Sequence, residues 1–277
     1  MEKPISANAR TLAILKKYEM HAKKGFGQNF IIDPSIVEKI ARVAMIDENS
    51  VVIEVGPGIG ALTQQLALKA KSVIAYEIDP RCIDVLADTL SPYPNVTVIL
   101  QDFLHVKSSD LPEGELTLCA NLPYYVTTPI LFHIIEELPS ITSFTIMVQK
   151  EVADRFVAKP STKDYNALSI IVQTLFEVKT VMNVSKAVFL PRPNVDSAVV
   201  RFVRKPILPI VDPERFFKLV KTSFIQRRKT LANNLKEIAD IVTIQSNLKQ
   251  AGLDLNVRAE ALSLSDFYRL YEVWYAR

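Results

Sequence analysis

The stretch Asn121-Leu122-Pro123-Tyr124-Tyr125 sets a side-chain amide, a backbone carbonyl in front of a proline and two phenol rings next to one another. The Asn121 amide oxygen and the Leu122 carbonyl can each accept from one N–H of an aryl amine. Accepting from both draws the nitrogen from planar toward tetrahedral and localises a lone pair that is otherwise delocalised into the ring. The ring face of Tyr124 suits any base, and Pro123 stiffens the turn. Such a set makes an exocyclic adenine amine nucleophilic toward a methyl group displaced in line. Alignment and desolvation of a positively charged donor then supply the acceleration, and no strong general base is required. The absence of His and Lys from the stretch agrees with that chemistry.

Alone, this pentapeptide is an Asx-Pro turn with two tyrosines, so the ligand must be read from elsewhere. Val51-Val52-Ile53-Glu54-Val55-Gly56-Pro57-Gly58-Ile59-Gly60 is a strand that runs into a glycine-rich turn and opens a helix. Gly56 and Gly58 let the backbone approach a ligand closely, beside free amides at the helix start. Gly56-x-Gly58-x-x-Ala61 also fits a dinucleotide fingerprint, so the loop by itself leaves NAD and S-adenosylmethionine both open. Glu77 lies 21 residues beyond Gly56, at a strand end, where a carboxylate can accept from both hydroxyls of a ribose. Gln101-Asp102-Phe103 closes the next strand and places an acid for an adenine amine and a ring for its face at the sheet edge where ligands of such folds bind.

These residues need a parallel sheet to bring them together. Short runs rich in Val and Ile at 51–55, 72–78, 96–100, 116–120 and 143–148 alternate with helical patterns at 60–70, 80–90 and 127–137, which predicts repeated βαβ units. After Phe176 two runs, 178–183 and 197–203, follow without a helical pattern between them and predict antiparallel pairing at the edge. Pro206 and Pro209 then punctuate the chain. The rest reads as helix with caps at Asp212-Pro213-Glu214 and Ser263-Leu264-Ser265-Asp266. The expectation is an α/β fold, a Rossmann-like sheet of seven mostly parallel strands with an antiparallel edge strand, over residues 1–205, plus a small all-helical domain over 206–277.

Composition sets outer bounds. Hydrophobic residues make up 49% and charged residues 23% of 277, as in ordinary globular chains. Cys82 and Cys119 are expected as reduced, buried thiols, and His21, His105 and His133 have no partner at metal-ligand spacing, so no metal is expected. No apolar run approaches ~18 residues and the N-terminus shows no leader pattern, which predicts a cytoplasmic protein with no membrane contact. The formal net charge is +3, but it is unevenly spread: residues 1–24 carry six basic against two acidic residues, 205–277 twelve against eight, and the middle fifteen against twenty. A polyanion should meet the ends. Within 215–229 there are six basic residues and no acid. If that stretch is one helix, Arg215, Lys218, Lys221, Arg228 and Lys229 share an arc of roughly 140° with Arg227 opposite, a face able to track phosphates. Lys16, Lys17, Lys23 and Lys24 offer a second contact.

On these residues the chain resembles the small-subunit ribosomal RNA adenine dimethyltransferase family. The resemblance spans nearly the whole sequence. It rests on Phe26-Gly27-Gln28-Asn29-Phe30-Ile31-Ile32-Asp33, Glu54-Val55-Gly56-Pro57-Gly58, Asn121-Leu122-Pro123-Tyr124, Pro191-Arg192-Pro193-Asn194-Val195-Asp196-Ser197-Ala198-Val199-Val200-Arg201 and Gln226-Arg227-Arg228-Lys229-Thr230-Leu231. It implies a class I methyltransferase fold with S-adenosylmethionine as methyl donor and residues 1–33 folded over it. Asn29, Ile31 and Gly58 would touch the cofactor, Gly56 lie under its amino-acid end, Glu77 hold the ribose, Asp102 the adenine amine and Asn121 the reaction centre. Phe189, before the Pro-x-Pro turn, would stack on a flipped target base opposite Tyr124, the core of a strand end being its other reading. A flipped or single-stranded base is needed in any case. The implied product is N6,N6-dimethyladenosine at two adjacent adenosines near the 3′ end of 16S rRNA in the assembling small subunit; the charge pattern puts Lys218, Lys221, Arg227, Arg228 and Lys229 on the RNA. Leu122 stands where DNA adenine methyltransferases usually carry Pro, which favours RNA over DNA. A monomer is the default for an enzyme docking on a ribosomal surface. The alternatives are a large-subunit methyltransferase of the macrolide-resistance type, a non-catalytic assembly factor and a dehydrogenase.

Overall fold

Each apolar run forms a strand. The computed structural model describes residues 3–20 and 28–275. Along the chain come α1 (Asn8–Lys17), β1 (Phe30–Ile31), α2 (Pro34–Val43), β2 (Val51–Val55), α3 (Ala61–Ala67), β3 (Ser72–Glu77) and α4 (Arg81–Thr89). They are followed by β4 (Val96–Leu100), β5 (Leu116–Asn121), α5 (Thr127–Glu136), β6 (Ile141–Gln149), α6 (Lys150–Phe156), α7 (Ala167–Leu175) and β7 (Phe176–Val184). The chain then forms β8 (Phe189–Leu190), β9 (Ser197–Arg204), α8 (Pro213–Ser223), α9 (Leu231–Leu235), α10 (Ile241–Gln250) and α11 (Leu264–Tyr275). A seven-stranded sheet has the order β4-β3-β2-β5-β6-β9-β7, and β1 pairs with β8 in a separate ribbon.

Strands β4 through β6 are parallel, and β9 runs antiparallel to β6. The antiparallel strand is therefore inserted, and β7 takes the edge. Burial explains the placement. In β9 Ser197 through Val200 and Phe202 are buried, whereas β7 exposes Glu177, Lys179, Thr180 and Asn183, so the run buried on both faces lies inside and the more polar one takes the edge. Parallel strands carry their ligand-facing residues to one edge, because each carboxyl end leads into the next helix. This is how Gly56, Glu77, Gln101 and Asn121, distant in sequence, come to share one edge.

The first of two units comprises Met1–Ala153 and Lys179–Val203, the second Asp154–Val178 and Arg204–Arg277. The sequence rhythm places 154–178 with the sheet, but α7 packs on α8 and α11. Tyr165 is buried and donates its hydroxyl to the Leu262 carbonyl at 2.8 Å, and Lys205 Nζ donates to the Gln173 carbonyl at 2.6 Å. In that unit Asp212 caps α8, Thr230 caps α9 and Asp240 caps α10. Ser263 and Asp266 exchange hydrogen bonds at the start of α11, the Ser263 N–H donating to the Asp266 carboxylate and the Asp266 N–H to the Ser263 hydroxyl.

The cationic helix expected over 215–229 stops at Ser223. The Asn234 amide takes over the groups that a continuing helix would use: its Nδ2 donates to the carbonyls of Ser223 (2.7 Å) and Gln226 (3.2 Å), and its Oδ1 accepts from the Gln226 N–H (3.1 Å). Arg227, Arg228 and Lys229 consequently sit in a turn and share no helix face with Lys218 and Lys221.

Candidate active site

At the carboxyl edge of β2, β3, β4 and β5 the first unit encloses a cavity of about 270 Å³. Strand β2 contributes Glu54, Val55 and the glycine loop, β3 Tyr76, Glu77 and Ile78, the end of β4 Gln101 through Leu104, and β5 Asn121 through Val126. The N-terminal segment closes it with Gln28, Asn29, Phe30 and Ile31.

The glycine loop needs its glycines for two different reasons. Gly56 has φ +69° and nothing within 4 Å of where a Cβ would stand, so the space beside it is open. Gly60 has φ +89°, and a Cβ there would meet Leu90 Cδ2 at 3.0 Å. The first glycine keeps room for a ligand, and the second lets the chain pack closely against α4. Glu77 staples this loop to β3. Its Oε2 accepts from the Gly58 N–H at 3.0 Å, and its Oε1 from the Ile78 and Asp79 N–H groups at 2.8 Å each. Burial pushes the Glu77 carboxyl up against the pull of these three donors. Asp102 Oδ1 accepts from the Leu104 N–H at 3.0 Å, which holds the carboxylate at the cavity wall.

Asn121 ends β5, and its Nδ2 donates to the Asn29 carbonyl at 3.3 Å, so its Oδ1 is left as the acceptor. The Tyr124 hydroxyl lies 2.8 Å from the Ser197 hydroxyl at the start of β9, which fixes the ring plane. Burial raises the Tyr124 phenol, and the bond to Ser197 offsets part of this. Gln28 is held in turn, since its Nε2 donates to Asp79 Oδ2 at 3.0 Å. Burial alone would raise Asp79, but Arg81 and Gln28 outweigh it and hold the carboxyl below its usual range.

Asn29, Ile31, Gly56, Gly58, Glu77, Asp102, Asn121, Leu122 and Tyr124 all line one cavity. Phe189 is not brought to it. Its β8 pairs with β1, Ile31 opposite Phe189, and the ring is 3% exposed in a core cluster with Val37, Val184 and Val199. Arg227 is also engaged, on the surface of its own unit: its guanidinium donates to Glu260 Oε2 (2.7 Å) and to the carbonyls of Lys163 (2.6 Å) and Thr162 (3.2 Å). Lys17 pairs with Asp88 at 2.6 Å. Residues 21–27, with Lys23, Lys24 and the Phe26-Gly27 part of the N-terminal motif, lie outside the described residues.

Sequence reasoning passed over Glu54. It is 1% exposed, and its Oε2 and the Thr63 hydroxyl are buried without a hydrogen-bond partner. Burial, helped by the nearby Glu77 charge, pushes the Glu54 carboxyl up to about 8. An acid in a strand otherwise apolar on both faces, two residues before the first glycine of the loop, is the signal that could have found it. An orphaned carboxylate in a ligand cavity calls for a cation, and S-adenosylmethionine carries an ammonium at its amino-acid end. The carboxylates of Glu77 and Asp102 suit its ribose and adenine, and Ile78, 47% exposed at the wall, suits an apolar ring face. The residues present fit that cofactor.

The family model described as ribosomal RNA adenine dimethylase matches residues 19–275. A Bacillus cytotoxicus protein named ribosomal RNA small subunit methyltransferase A is 47% identical, over 97% of this chain and 96% of its own. A solved dimethyladenosine transferase from Plasmodium falciparum superposes with a TM-score of 0.76 at 27% identity, over 87% of this chain and 95% of its own. The 23S rRNA methyltransferase ErmE gives 0.71 at 30% identity, over 88% and 99%.

Proposed function

The chain belongs to the ribosomal RNA adenine dimethylase family, and we infer that its acceptors are two adjacent adenosines near the 3′ end of 16S rRNA in the assembling small subunit. The enzyme dimethylates adenine N6 in ribosomal RNA with S-adenosylmethionine as donor. When bound, S-adenosylmethionine supplies an electrophilic methyl group on a sulfonium. In our reading Glu54 holds the ammonium, Glu77 the ribose hydroxyls and Asp102 Oδ2 the adenine amine of the cofactor.

The observation that carries the adenine-amine chemistry is the Asn121 amide, and the small-subunit assignment rests on the likeness to the small-subunit methyltransferases. Because its Nδ2 is committed to the Asn29 carbonyl, Oδ1 meets the target amine as a hydrogen-bond acceptor, joined by the Leu122 carbonyl. Tyr124, its hydroxyl tied to Ser197, is the platform for the flipped base. With Phe189 in the core, exposed Tyr125 at the cavity mouth is the other ring available. Attack forms the N–C bond as the methyl leaves sulfur and makes the nitrogen cationic and acidic; its proton then passes to water, and the freed lone pair returns to conjugation with the ring. The helical unit meets the RNA through exposed Lys218, Lys221, Arg228 and Lys229. We propose a cytoplasmic monomer. Among the described residues no helix is long and apolar enough to cross a membrane.

The test is methyl transfer to small subunits that lack adenine dimethylation, with modified nucleosides identified by mass spectrometry. We expect dimethyladenosine, a fall of about 10²–10³-fold in rate for Asn121→Ala by analogy with the loss of one preorganised transition-state contact, and S-adenosylmethionine affinity changed by less than that. Transfer to large-subunit RNA alone would refute the small-subunit assignment, and equal rates for the two proteins would refute the role of Asn121.

A further inference from the structure

Arg227 has the basic character of an RNA contact, yet all three of its nitrogen-bearing arms point into its own unit. Nε meets Glu260 Oε2, while Nη1 and Nη2 meet the carbonyls of Lys163 and Thr162. Glu260 adds a second tie, its carbonyl accepting from the Ser161 N–H at 2.7 Å. Ser161 has φ +63°, a conformation that a non-glycine residue keeps only where its surroundings impose it. The loop closes on itself as well, with the Thr162 hydroxyl donating to the Lys159 carbonyl at 2.7 Å. A charged guanidinium accepted by two carbonyls and a carboxylate is a strong, directional anchor.

The anchor has a consequence for charge. Residues 159–163 and 225–229 are all exposed, and one guanidinium bridges the two segments. Among the described residues, none of Lys159, Lys163, Arg228 and Lys229 makes a salt bridge, Glu260 is neutralised by Arg227, and the half-buried Asp164 next to Lys163 leaves the cations in excess. Four unpaired cations on two adjoining segments make a surface that favours a polyanion and gives it register without reading bases.

We propose that the 159–163 loop and the 226–229 turn form a single phosphate-binding surface for structured RNA, assembled by Arg227 as a positioning residue, with Lys159 and Lys163 as contacts. This rests on the ribosomal RNA reading above. It adds a loop preceding α7, far in sequence from the basic motif, to the RNA-contacting surface.

The experiment measures binding of the full chain to small subunits lacking adenine dimethylation as a function of salt, with methyl transfer recorded on the same preparations. For the double variant Lys159→Gln/Lys163→Gln we expect weaker binding at every salt concentration and a log–log salt slope reduced by about 2, roughly 1 for each lost phosphate contact, with S-adenosylmethionine affinity unchanged. For Arg227→Gln we expect a comparable loss together with faster limited proteolysis at 159–163. A double variant that binds with the wild-type slope overturns the surface. An Arg227→Gln protein whose slope falls by about 1 while the loop stays protected overturns the positioning role and makes Arg227 a direct contact. Wild-type enzyme that transfers no methyl group overturns the ribosomal RNA reading instead.

Discussion

Glu54 is the residue whose charge state the cavity controls most strongly. Its carboxyl is pushed up to about 8 by burial, so near neutral pH it is mostly protonated in the ligand-free protein. A cofactor ammonium beside it favours the ionised form, and binding must then release a proton. We expect S-adenosylmethionine affinity to rise with pH between about 6 and 8, and the calorimetric heat to vary with buffer ionisation enthalpy. Glu54→Gln should bind more weakly by about 1.5–3 kcal/mol, the range for a hydrogen bond to a charged group, and should lose the buffer dependence. A buffer-independent heat in the wild type would remove Glu54 from the ammonium site. The same shift acts on stability. Because the folded carboxyl is raised above its unfolded value of 4.5, the folded state holds a proton that the unfolded chain has lost. Ligand-free stability therefore declines as pH rises from about 4.5 to about 8 and then levels off.

Among elements, the glycine loop separates packing from ligand access. A Cβ at Gly60 combines a positive φ with a contact of 3.0 Å to Leu90, so Gly60→Ala should cost about 2 kcal/mol, lowering Tm by roughly 5 °C. Gly56→Ala meets no protein atom within 4 Å. It should cost less stability but obstruct the ligand and weaken S-adenosylmethionine binding more than Gly60→Ala does. Thermal scans with and without cofactor check both, and equal melting temperatures for the two variants would contradict the assignment. The loop, its strand and its helix are legible in the sequence because local pattern determines them: apolar β-branched runs, then glycines, then helical spacing. The end of α8 is not legible. It depends on Asn234, whose amide reaches back to Ser223 and Gln226, and helical periodicity carries no record of a side chain eight or more residues away.

The whole molecule divides discontinuously, the second unit drawing on Asp154–Val178 as well as Arg204–Arg277. A fragment covering 206–277 lacks α7, which packs on α8 and α11, and lacks Tyr165, which holds the Leu262 carbonyl. We expect that fragment to show no cooperative thermal transition by circular dichroism, and a sharp transition would show that α7 is dispensable. The sequence by itself determined the class of fold, the strand ends and the family of chemistry, because parallel strands deliver the residues after their carboxyl ends to one edge whatever lies between them. Only the tertiary structure decided that Phe189 is core, that Arg227 is an anchor, that Glu54 is an orphaned acid and that β9 lies inside the sheet. Each of these depends on which groups from remote parts of the chain surround a side chain, and burial and hydrogen bonding are properties of that surrounding, not of the residue type.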